Sequence, residues 1–255
     1  MTTLSNPTRS ARSAFQVCPN GTASNLKEVG KMTQNMALAA MLAAGLCLAA
    51  PAAHASLITI ALQEASVNGG LITALANDGG SGSVTYAPSV STYGTFSTNN
   101  ISASGAPILD QGSLSSNTLN VSSSAAGTLK IWITETGYTS PTGSGQFRSG
   151  LTSNQLEGGV TSVEMITYID PANGLYGGTI LSDVVFTSFS SSSFTTNSPA
   201  LPGPYSLTHE YIITATGSGS SQDTMSLSYV PEPASILLMG LGLAGLGVVR
   251  RKTRG

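Results

Sequence analysis

Residue types that carry enzyme chemistry are sparse in the central part of this sequence. His209 is the only histidine between residues 56 and 230, so a Ser-His-Asp triad or a zinc site would have to use it. Serine is abundant there, and no Gly-x-Ser-x-Gly motif marks one serine as a nucleophile. His209 also alternates with apolar residues as in a β-strand, which favours a packed histidine over a catalytic base. We therefore predict no catalytic residue and no zinc site in this segment.

Carboxylates offer a second kind of chemistry, because two facing carboxyl groups can hydrolyse a glycosidic bond. The candidates are Glu64, Glu135, Glu157 and Glu164. Ten acidic residues between residues 56 and 230 supply many such combinations, so the sequence selects no pair among them.

Two aspartates lie in turns, where carbonyl groups are available to complete a calcium site. Asp78 lies within Asn-Asp-Gly-Gly, and Asp170 precedes Pro-Ala-Asn-Gly. Neither segment matches the EF-hand loop, and no glycine-rich segment continues into the Lys-Ser/Thr of a phosphate-binding loop. The sequence therefore predicts no metal ion and no cofactor.

Aromatic side chains are the remaining candidates for a binding site, because sugars place their apolar faces on aromatic rings. The candidates are Trp132, Tyr138, Phe147, Tyr168 and Tyr176. Trp132 lies in an alternating, strand-like stretch, where a tryptophan also serves as a packing residue. Glycan binding and internal packing therefore both remain open for these rings.

The charge of the central segment excludes one class of partner. Lys130 and Arg148 are its only basic residues against ten acidic ones, which gives residues 56–230 a formal charge of −8. Binding to nucleic acid requires clustered Lys and Arg side chains that displace counterions from phosphates. We therefore expect no nucleic acid partner.

The same segment has the residue pattern of a mainly β protein. Apolar and polar residues alternate most clearly at 225–229, 129–133 and 207–213. Weaker strand candidates are residues 57–62, 70–75, 83–86, 118–122, 161–169 and 179–186. Turn signals separate these stretches, and the Ser/Thr/Pro-rich segment 188–205 is expected to be a long surface loop, with O-glycosylation as an alternative. We predict an antiparallel β-sandwich ectodomain over residues 56–229.

The N-terminal region has the features of an export signal. An uncharged apolar run at residues 36–50 is followed by Ala53-His54-Ala55, the small-x-small pattern that a signal peptidase recognises. The run is shorter than the ~20 residues of a membrane-spanning helix. We therefore predict that residues 1–55, including a signal helix, are removed by cleavage after Ala55 and that Ser56 becomes the first residue. Residues 1–31 form an unusually long polar lead-in, which a translation start near Val29 would explain.

Cleavage at that point removes all cysteine from the protein. Cys18 and Cys47 are the only two cysteines, and both precede Ala55. The mature chain is therefore expected to have no disulfide, no thiol nucleophile and no thiolate-bound metal.

The C-terminal end, residues 230–255, has three parts in a fixed order. Pro231-Glu232-Pro233 disfavours both helix and strand pairing, so we expect it to be extended and accessible. Residues 236–249 form an uncharged run of 14 residues, which predicts a short transmembrane helix. Arg250, Arg251 and Lys252 follow it as a basic stop that stays on the cytoplasmic side.

This tail resembles the PEP-CTERM sorting signal. The resemblance rests on Val230-Pro231-Glu232-Pro233-Ala234, the glycine-containing apolar run, and the terminal Arg250-Arg251-Lys252. It implies a Gram-negative bacterium that produces exopolysaccharide, and an exosortase, a membrane transpeptidase, that cuts near Pro-Glu-Pro. It also implies an inner-membrane intermediate followed by release or attachment at the cell surface. Members share the tail while their bodies differ, so the resemblance predicts a destination and no activity.

Together these features predict an exported, non-enzymatic surface or extracellular matrix protein. A secreted glycan-binding module and a secreted glycoside hydrolase are the alternatives. Clustered exposed aromatic rings would favour the first alternative, and two carboxylates facing each other across a cleft would favour the second.

Overall fold

The computed structural model describes residues 56–88 and 92–231, which form β-strands and one turn of 3-10 helix at Asn68–Gly70. The strands are β1 (Leu57–Glu64), β2 (Thr73–Asn77), β3 (Ser83–Tyr86), β4 (Thr92–Tyr93), β5 (Phe96–Ser104), β6 (Ser113–Ser123), β7 (Ala126–Tyr138), β8 (Gln146–Asp170), β9 (Thr179–Phe186), β10 (Ser190–Asn197) and β11 (Tyr205–Val230). The prediction of a mainly β body is thereby confirmed. The predicted signal helix and C-terminal transmembrane helix lie outside the described residues. Within those described, no helix is long and apolar enough to cross a membrane.

Two unusually long strands organise the sheet. β8 has 25 residues and β11 has 26, and they pair in antiparallel fashion from Gln146 opposite Val230 to Asp170 opposite Ser206. On its other edge, β11 pairs first with β7 and then, after residue 216, with β6. On the other edge of β8, β10 lies beside its first part and β9 beside its second.

These pairings give the sheet two halves that share β8 and β11. One half has the order β2-β1-β7-β11-β8-β9, and the other has the order β3-β5-β6-β11-β8-β10, with β4 paired to β5. The two halves contact each other through their buried faces. Ser116 pairs with Met225 in one half, and its Oγ lies 2.9 Å from the hydroxyl oxygen of Tyr211 in the other. One apolar core, with members from both halves, fills the space between them.

Glycine permits the long strands to bend where one half ends and the other begins. The register between β8 and β11 shifts between Ala215 and Gly219, opposite Gly158. Gly158 has φ +65°, a conformation that other residues rarely adopt. A Cβ on Gly219 would overlap the carbonyl oxygen of Glu157, so the two backbones approach each other more closely than a side chain allows.

Alternation predicted the strands that have one face on the core. Predicted stretches 83–86 and 179–186 coincide with β3 and β9, and the three clearest stretches lie within β7 and β11. The predicted loop at 188–205 is wrong in its first part, because Ser190–Asn197 is strand β10 and pairs with β8. β10 is an edge strand with mostly exposed side chains. Its backbone hydrogen bonds hold it in place, so its sequence lacks the apolar alternation of a half-buried strand.

The bend predicts a different effect of alanine at two neighbouring glycines. Gly219→Ala is expected to lower the free energy of unfolding by about 1–3 kcal/mol, because the new methyl group overlaps the backbone of β8. Gly217→Ala is the matched control, since a Cβ there meets nothing within 4 Å, and its effect should stay within about 0.5 kcal/mol. Chemical denaturation of both variants measures the difference. Equal effects would contradict the proposed role of the close approach.

Candidate functional site

Three aromatic rings meet on the side of β7, β11 and β8 that faces away from the core. We call Trp132, Tyr168 and Tyr176 the outer aromatic cluster. The ring centroids of Tyr168 and Tyr176 each lie 6.2 Å from that of Trp132. The loop after β8 brings Tyr176 into place, and its backbone N–H donates to Thr134 Oγ1 at 3.3 Å. Trp132 is only 8% exposed beneath this arrangement, whereas the two tyrosines are half-buried.

An ion pair between the buried Glu210 and the partly exposed Lys130 lies next to the cluster. The carboxylate of Glu210 accepts a hydrogen bond from Lys130 Nζ at 3.0 Å and another from the Tyr168 hydroxyl at 2.5 Å. Lys130 Nζ also lies 5.7 Å from the centroid of the Trp132 ring, within the range of a cation–π contact. Burial and the hydrogen bond to Glu210 raise the pKa of Tyr168, so its hydroxyl remains a donor at neutral pH. These contacts fix the orientation of the Tyr168 ring.

Two further carboxylates extend this surface. Burial, together with the charge and hydrogen bond of Asp183, raises the pKa of Glu164. Glu210 adds to this effect and Lys130 opposes it. Carboxylates beside aromatic rings can accept hydrogen bonds from sugar hydroxyls while the rings contact the apolar face of the sugar. The surface therefore has the chemical groups of a glycan-binding site.

Tyr138 and Phe147, the other two aromatic candidates, lie in the core. Both side chains are fully buried. The Tyr138 ring stacks on Tyr205 with centroids 5.4 Å apart, and Phe147 packs edge-on against Tyr205 and Tyr229. These rings serve packing between the two halves of the sheet.

Glu64 and Glu135 hold the two ends of β5 and do not face each other. Glu64 accepts hydrogen bonds from Thr95 N and Oγ1, at 3.2 and 2.9 Å, just before β5 begins. Glu135 Oε1 accepts one from Ala106 N at 2.8 Å, just after β5 ends. Glu64 pairs with Leu129, six residues before Glu135 on β7, so the two carboxylates are ~20 Å apart at ~3.3 Å per residue. A glycosidase pair is separated by roughly 5–9.5 Å.

The other glycosidase candidates do not pair with these. Glu157 is exposed beside the glycine bend, and Glu164 lies on the outer surface near Asp183 and Glu210. No sequence pattern marks Asp183 or Glu210 as a site residue. Their proximity depends on strand register, and Lys130 and Glu210 are 80 positions apart in the chain.

His209 lies fully buried between the halves of the sheet. Its Nδ1 is 2.6 Å from Ser116 Oγ, and burial lowers the pKa of the imidazole to about 3. The ring is therefore neutral at physiological pH and accepts no proton there. This geometry is that of a packed histidine, with Ser116 as its hydrogen-bond partner.

The carboxylates of the two candidate calcium ligands, Asp78 and Asp170, accept hydrogen bonds from backbone N–H groups. Asp78 accepts hydrogen bonds from Ile58 and Gly80 at Oδ1, and from Gly82 at Oδ2, at 2.7–3.1 Å. Asp170 accepts them from Ala172 and Gly174. Over residues 56–88 and 92–231, no three His, Cys, Asp or Glu side chains are grouped so as to hold a metal ion.

A row of polar groups crosses the core in the second half of the sheet. Asp223 is fully buried and lies between its cross-strand neighbours Thr118 and Ser153, with Ser221 two residues away. Burial raises the pKa of Asp223 to about 7, and the three hydroxyls oppose that rise. None of these four side chains has a partner at good hydrogen-bond geometry among the described residues. The carboxyl group is therefore only weakly stabilised in its charged form.

The predicted processing sites lie at the two ends of the described body. Ser56 is buried, Val230 is the last residue of β11, and Pro231 is exposed beyond it. The remaining predicted residues lie outside the described part: Ala53, Ala55, Glu232, Pro233, Arg250, Arg251 and Lys252.

The C-terminal sequence defines a sorting signal. Residues 230–252 match the family model of the PEP-CTERM protein-sorting motif, which confirms the resemblance of the tail. The match begins at Val230, where the last strand ends. No curated protein matches the sequence.

Several solved structures align with part of the chain at low sequence identity. TmCBM61, in complex with β-1,4-galactotriose, is 15% identical over 44% of this chain and 70% of its own, with a TM-score of 0.25. The CBM36-1 domain of a multidomain xylanase from the hindgut metagenome of Trinervitermes trinervoides is 16% identical over 44% of this chain and 79% of its own, with a TM-score of 0.26. The K1 cleaved adhesin domain of Lys-gingipain from Porphyromonas gingivalis W83 is 10% identical over 59% of this chain and 98% of its own, with a TM-score of 0.29. At these TM-scores the structures do not superpose on this chain as one fold.

The buried Asp223 predicts a pH dependence of stability. Its pKa is about 7 in the folded protein and 3.8 as an ordinary aspartate, so the folded state holds the proton more tightly. The stability that this proton contributes is fully present below pH ~4 and is lost as the pH rises through about 7. The free energy of unfolding of Asp223→Asn should therefore equal that of the wild type near pH 4 and exceed it by about 1–3 kcal/mol at pH 8.

Denaturation curves at both pH values measure this difference. Asp110→Asn is the control, because Asp110 is exposed and its substitution should leave the pH profile unchanged. A parallel shift of the Asp223→Asn curve at both pH values would contradict the assignment.

Proposed function

We propose that this chain is an exported, non-enzymatic surface or extracellular matrix protein. In this proposal residues 1–55 direct export and are removed, residues 56–229 form an antiparallel β-sandwich ectodomain, and residues 230–255 are the sorting tail. The observation that carries the proposal is the position of the sorting motif. It begins at Val230, the last paired residue of the body, and continues through the exposed Pro231.

This position suits recognition by a membrane-bound processing enzyme. A proline cannot donate to a strand ladder, so pairing of β11 ends where the motif begins and the enzyme meets an unpaired backbone. The 14-residue run at 236–249 spans ~21 Å as a helix, less than the ~30 Å of a hydrocarbon core. Such a tail suits a transient inner-membrane intermediate, with Arg250, Arg251 and Lys252 retained on the cytoplasmic side.

The geometry of the charged residues supports a non-enzymatic role. Glu64 and Glu135 accept backbone hydrogen bonds, Asp78 and Asp170 close turns, and His209 is neutral in the core. Each of these groups therefore has a structural partner. An exosortase recognising the tail and the inner membrane are the proposed partners, with exopolysaccharide as the surface polymer.

The tail predicts a specific processed species. In the native host, intact mass measurement should find a released protein that starts at Ser56 and ends between Val230 and Pro233. Replacing Pro231, Glu232 and Pro233 by alanine should leave the protein in the membrane with Arg250–Arg254 still attached, because the enzyme loses its recognition site.

The chain offers a matched control for this experiment. Pro202-Gly203-Pro204 is another Pro-x-Pro sequence, located in the loop after β10. Replacing Pro202 and Pro204 by alanine should leave processing unchanged. Release of the Pro231–Pro233 variant at the wild-type level would contradict the sorting step of the proposal.

A glycan-binding role is the second candidate, and the outer aromatic cluster favours it. Trp132 is largely covered, so the half-buried Tyr168 and Tyr176 would provide the ring surfaces. Glu164 and Asp183 would accept hydrogen bonds from the sugar. The proposed ligand is the exopolysaccharide of the host.

This candidate predicts that one tyrosine carries much of the binding energy. Tyr176→Ala should weaken binding to the purified exopolysaccharide by about tenfold, the equivalent of ~1.4 kcal/mol, measured by isothermal titration calorimetry. Tyr86→Ala is the control, because Tyr86 is also half-buried but lies on β3 in the other half of the sheet. Equal affinities of the two variants would exclude the cluster as the binding site.

A further inference from the structure

The residue predicted to become the mature N-terminus is held inside the protein. Ser56 is only 1% exposed, and its Oγ donates to the carbonyl oxygen of Ala106 at 2.6 Å. Chain termini usually lie at the surface and are poorly ordered unless specific contacts hold them. The burial of Ser56 therefore indicates a specific site for this end of the chain.

That site contains a buried carboxylate. Glu135 is 0% exposed, its Oε1 accepts the hydrogen bond of Ala106 N at 2.8 Å, and its Oε2 accepts one from the Tyr138 hydroxyl. Ala106 links the two residues, because its carbonyl oxygen accepts from Ser56 Oγ while its N–H donates to Glu135, and the neighbouring Ser56 hydroxyl opposes the rise in the pKa of Glu135 that burial causes. Ser56, Ala106 and Glu135 thus form one polar pocket within an apolar core.

The pocket lacks a cation in the part of the chain that is described. The titratable groups around Glu135 are Tyr138, Tyr205 and Asp78, none of which carries a positive charge. Lys130 pairs with Glu210 and is five residues from Glu135 on β7, ~17 Å away. Burial, aided slightly by the charge of Asp78, raises the pKa of Glu135 to about 7 despite its hydrogen bonds. A buried carboxylate in this setting is strongly stabilised by an adjacent positive charge.

Signal cleavage would create such a charge at this place. In the precursor, the nitrogen of Ser56 is a neutral amide with one hydrogen. In a chain that starts at Ser56, it is an ammonium group with three hydrogens and a positive charge. Three covalent bonds separate this nitrogen from Ser56 Oγ, about 3–4 Å, so the new charge lies within reach of the acceptors that Oγ already contacts.

We propose that the fold contains a binding site for its own mature amino terminus, in which the α-ammonium group of Ser56 pairs with the carboxylate of Glu135 and the carbonyl oxygen of Ala106. This rests on the cleavage after Ala55 in the proposed function. The precursor lacks the ion pair, so the body reaches its full stability only after the signal is removed. Asp78, which accepts the N–H of Ile58 at 2.9 Å, is the second carboxylate near this end and adds to the attraction.

A chemical change at one atom tests the pairing. The chain 56–255 is prepared in detergent with a free Ser56 amine and, separately, with Nα-acetylated Ser56, which restores the neutral amide of the precursor. At pH 7, acetylation should lower the folding equilibrium constant of the wild type by about tenfold. It should change that of Glu135→Gln only slightly, because this variant has no carboxylate at position 135 to pair with the amine.

Glu64→Gln is the matched control. Glu64 is also buried and also holds one end of β5, but it lies ~20 Å from Glu135. Its variant should therefore lose as much stability on acetylation as the wild type does. An equal effect of acetylation in Glu135→Gln and in the wild type would overturn the proposal, as would an absence of effect in the wild type.

A second measurement keeps the test independent of variant folding. The pKa of the Ser56 α-amine, followed by NMR in the wild-type chain, should lie well above the ~7.7–8.0 of an ordinary amino terminus. An ordinary value would overturn the proposal. N-terminal sequencing of the protein released by the host tests the cleavage separately. A different first residue there would refute the processing step of the proposed function, while the acetylation experiment still decides whether the ammonium site exists.

Discussion

The fold depends on two strands that remain paired to each other while they pass from one half of the sheet to the other. β8 and β11 exchange backbone hydrogen bonds from Gln146 and Val230 to Asp170 and Ser206, so a bend in one strand must be matched by a bend in the other. Backbone groups in a buried ladder are costly to leave unpaired. Gly158, Gly159 and Gly219 allow the two backbones to turn together and approach closely. Every other strand except β2, β3 and β4 pairs directly with this ribbon or with β7 or β6 at its edge. The outer aromatic cluster and the Ser56 pocket are both positioned in this way.

The chain uses its few charged residues in an unusual manner, which follows from its composition. With ten acidic and two basic residues between 56 and 230, most carboxylates have no cationic side chain to pair with. The fold instead places buried carboxylates against backbone N–H groups at strand ends, as Glu64 and Glu135 do on either side of β5. These contacts satisfy loop donors that would otherwise be unpaired. Burial raises the pKa values of Glu135 and Asp223 to about 7, because the hydrogen bonds of these two carboxyl groups offset the loss of hydration only in part.

Sequence patterns were informative where one local rule decides the outcome. Alternation located β3, β9 and the core-facing residues of β7, because each of these strands places the apolar residues of one face in the core. The sorting tail was also predictable from the sequence, because its motif is one continuous segment. Alternation failed for β10, which contributes little to the core, and it did not reveal that Glu210 is buried on the opposite face from Tyr211. The meeting of Trp132 with Tyr168 and Tyr176 depends on strand register and on the path of one loop. No local pattern encodes either of these.

The two predicted processing sites are connected through the aromatic part of the core. Glu135 accepts a hydrogen bond from Tyr138, which stacks on Tyr205, and Phe147 joins Tyr205 to Tyr229 beside the last residue of β11. Ser56 and Val230 therefore leave the body at the same end of the fold. A chain with both ends at one side can be held by a leader and a tail in the same membrane without strain on its strands. In the proposed processing, removal of the leader would free one end and complete the Ser56 pocket, and removal of the tail would release the folded body.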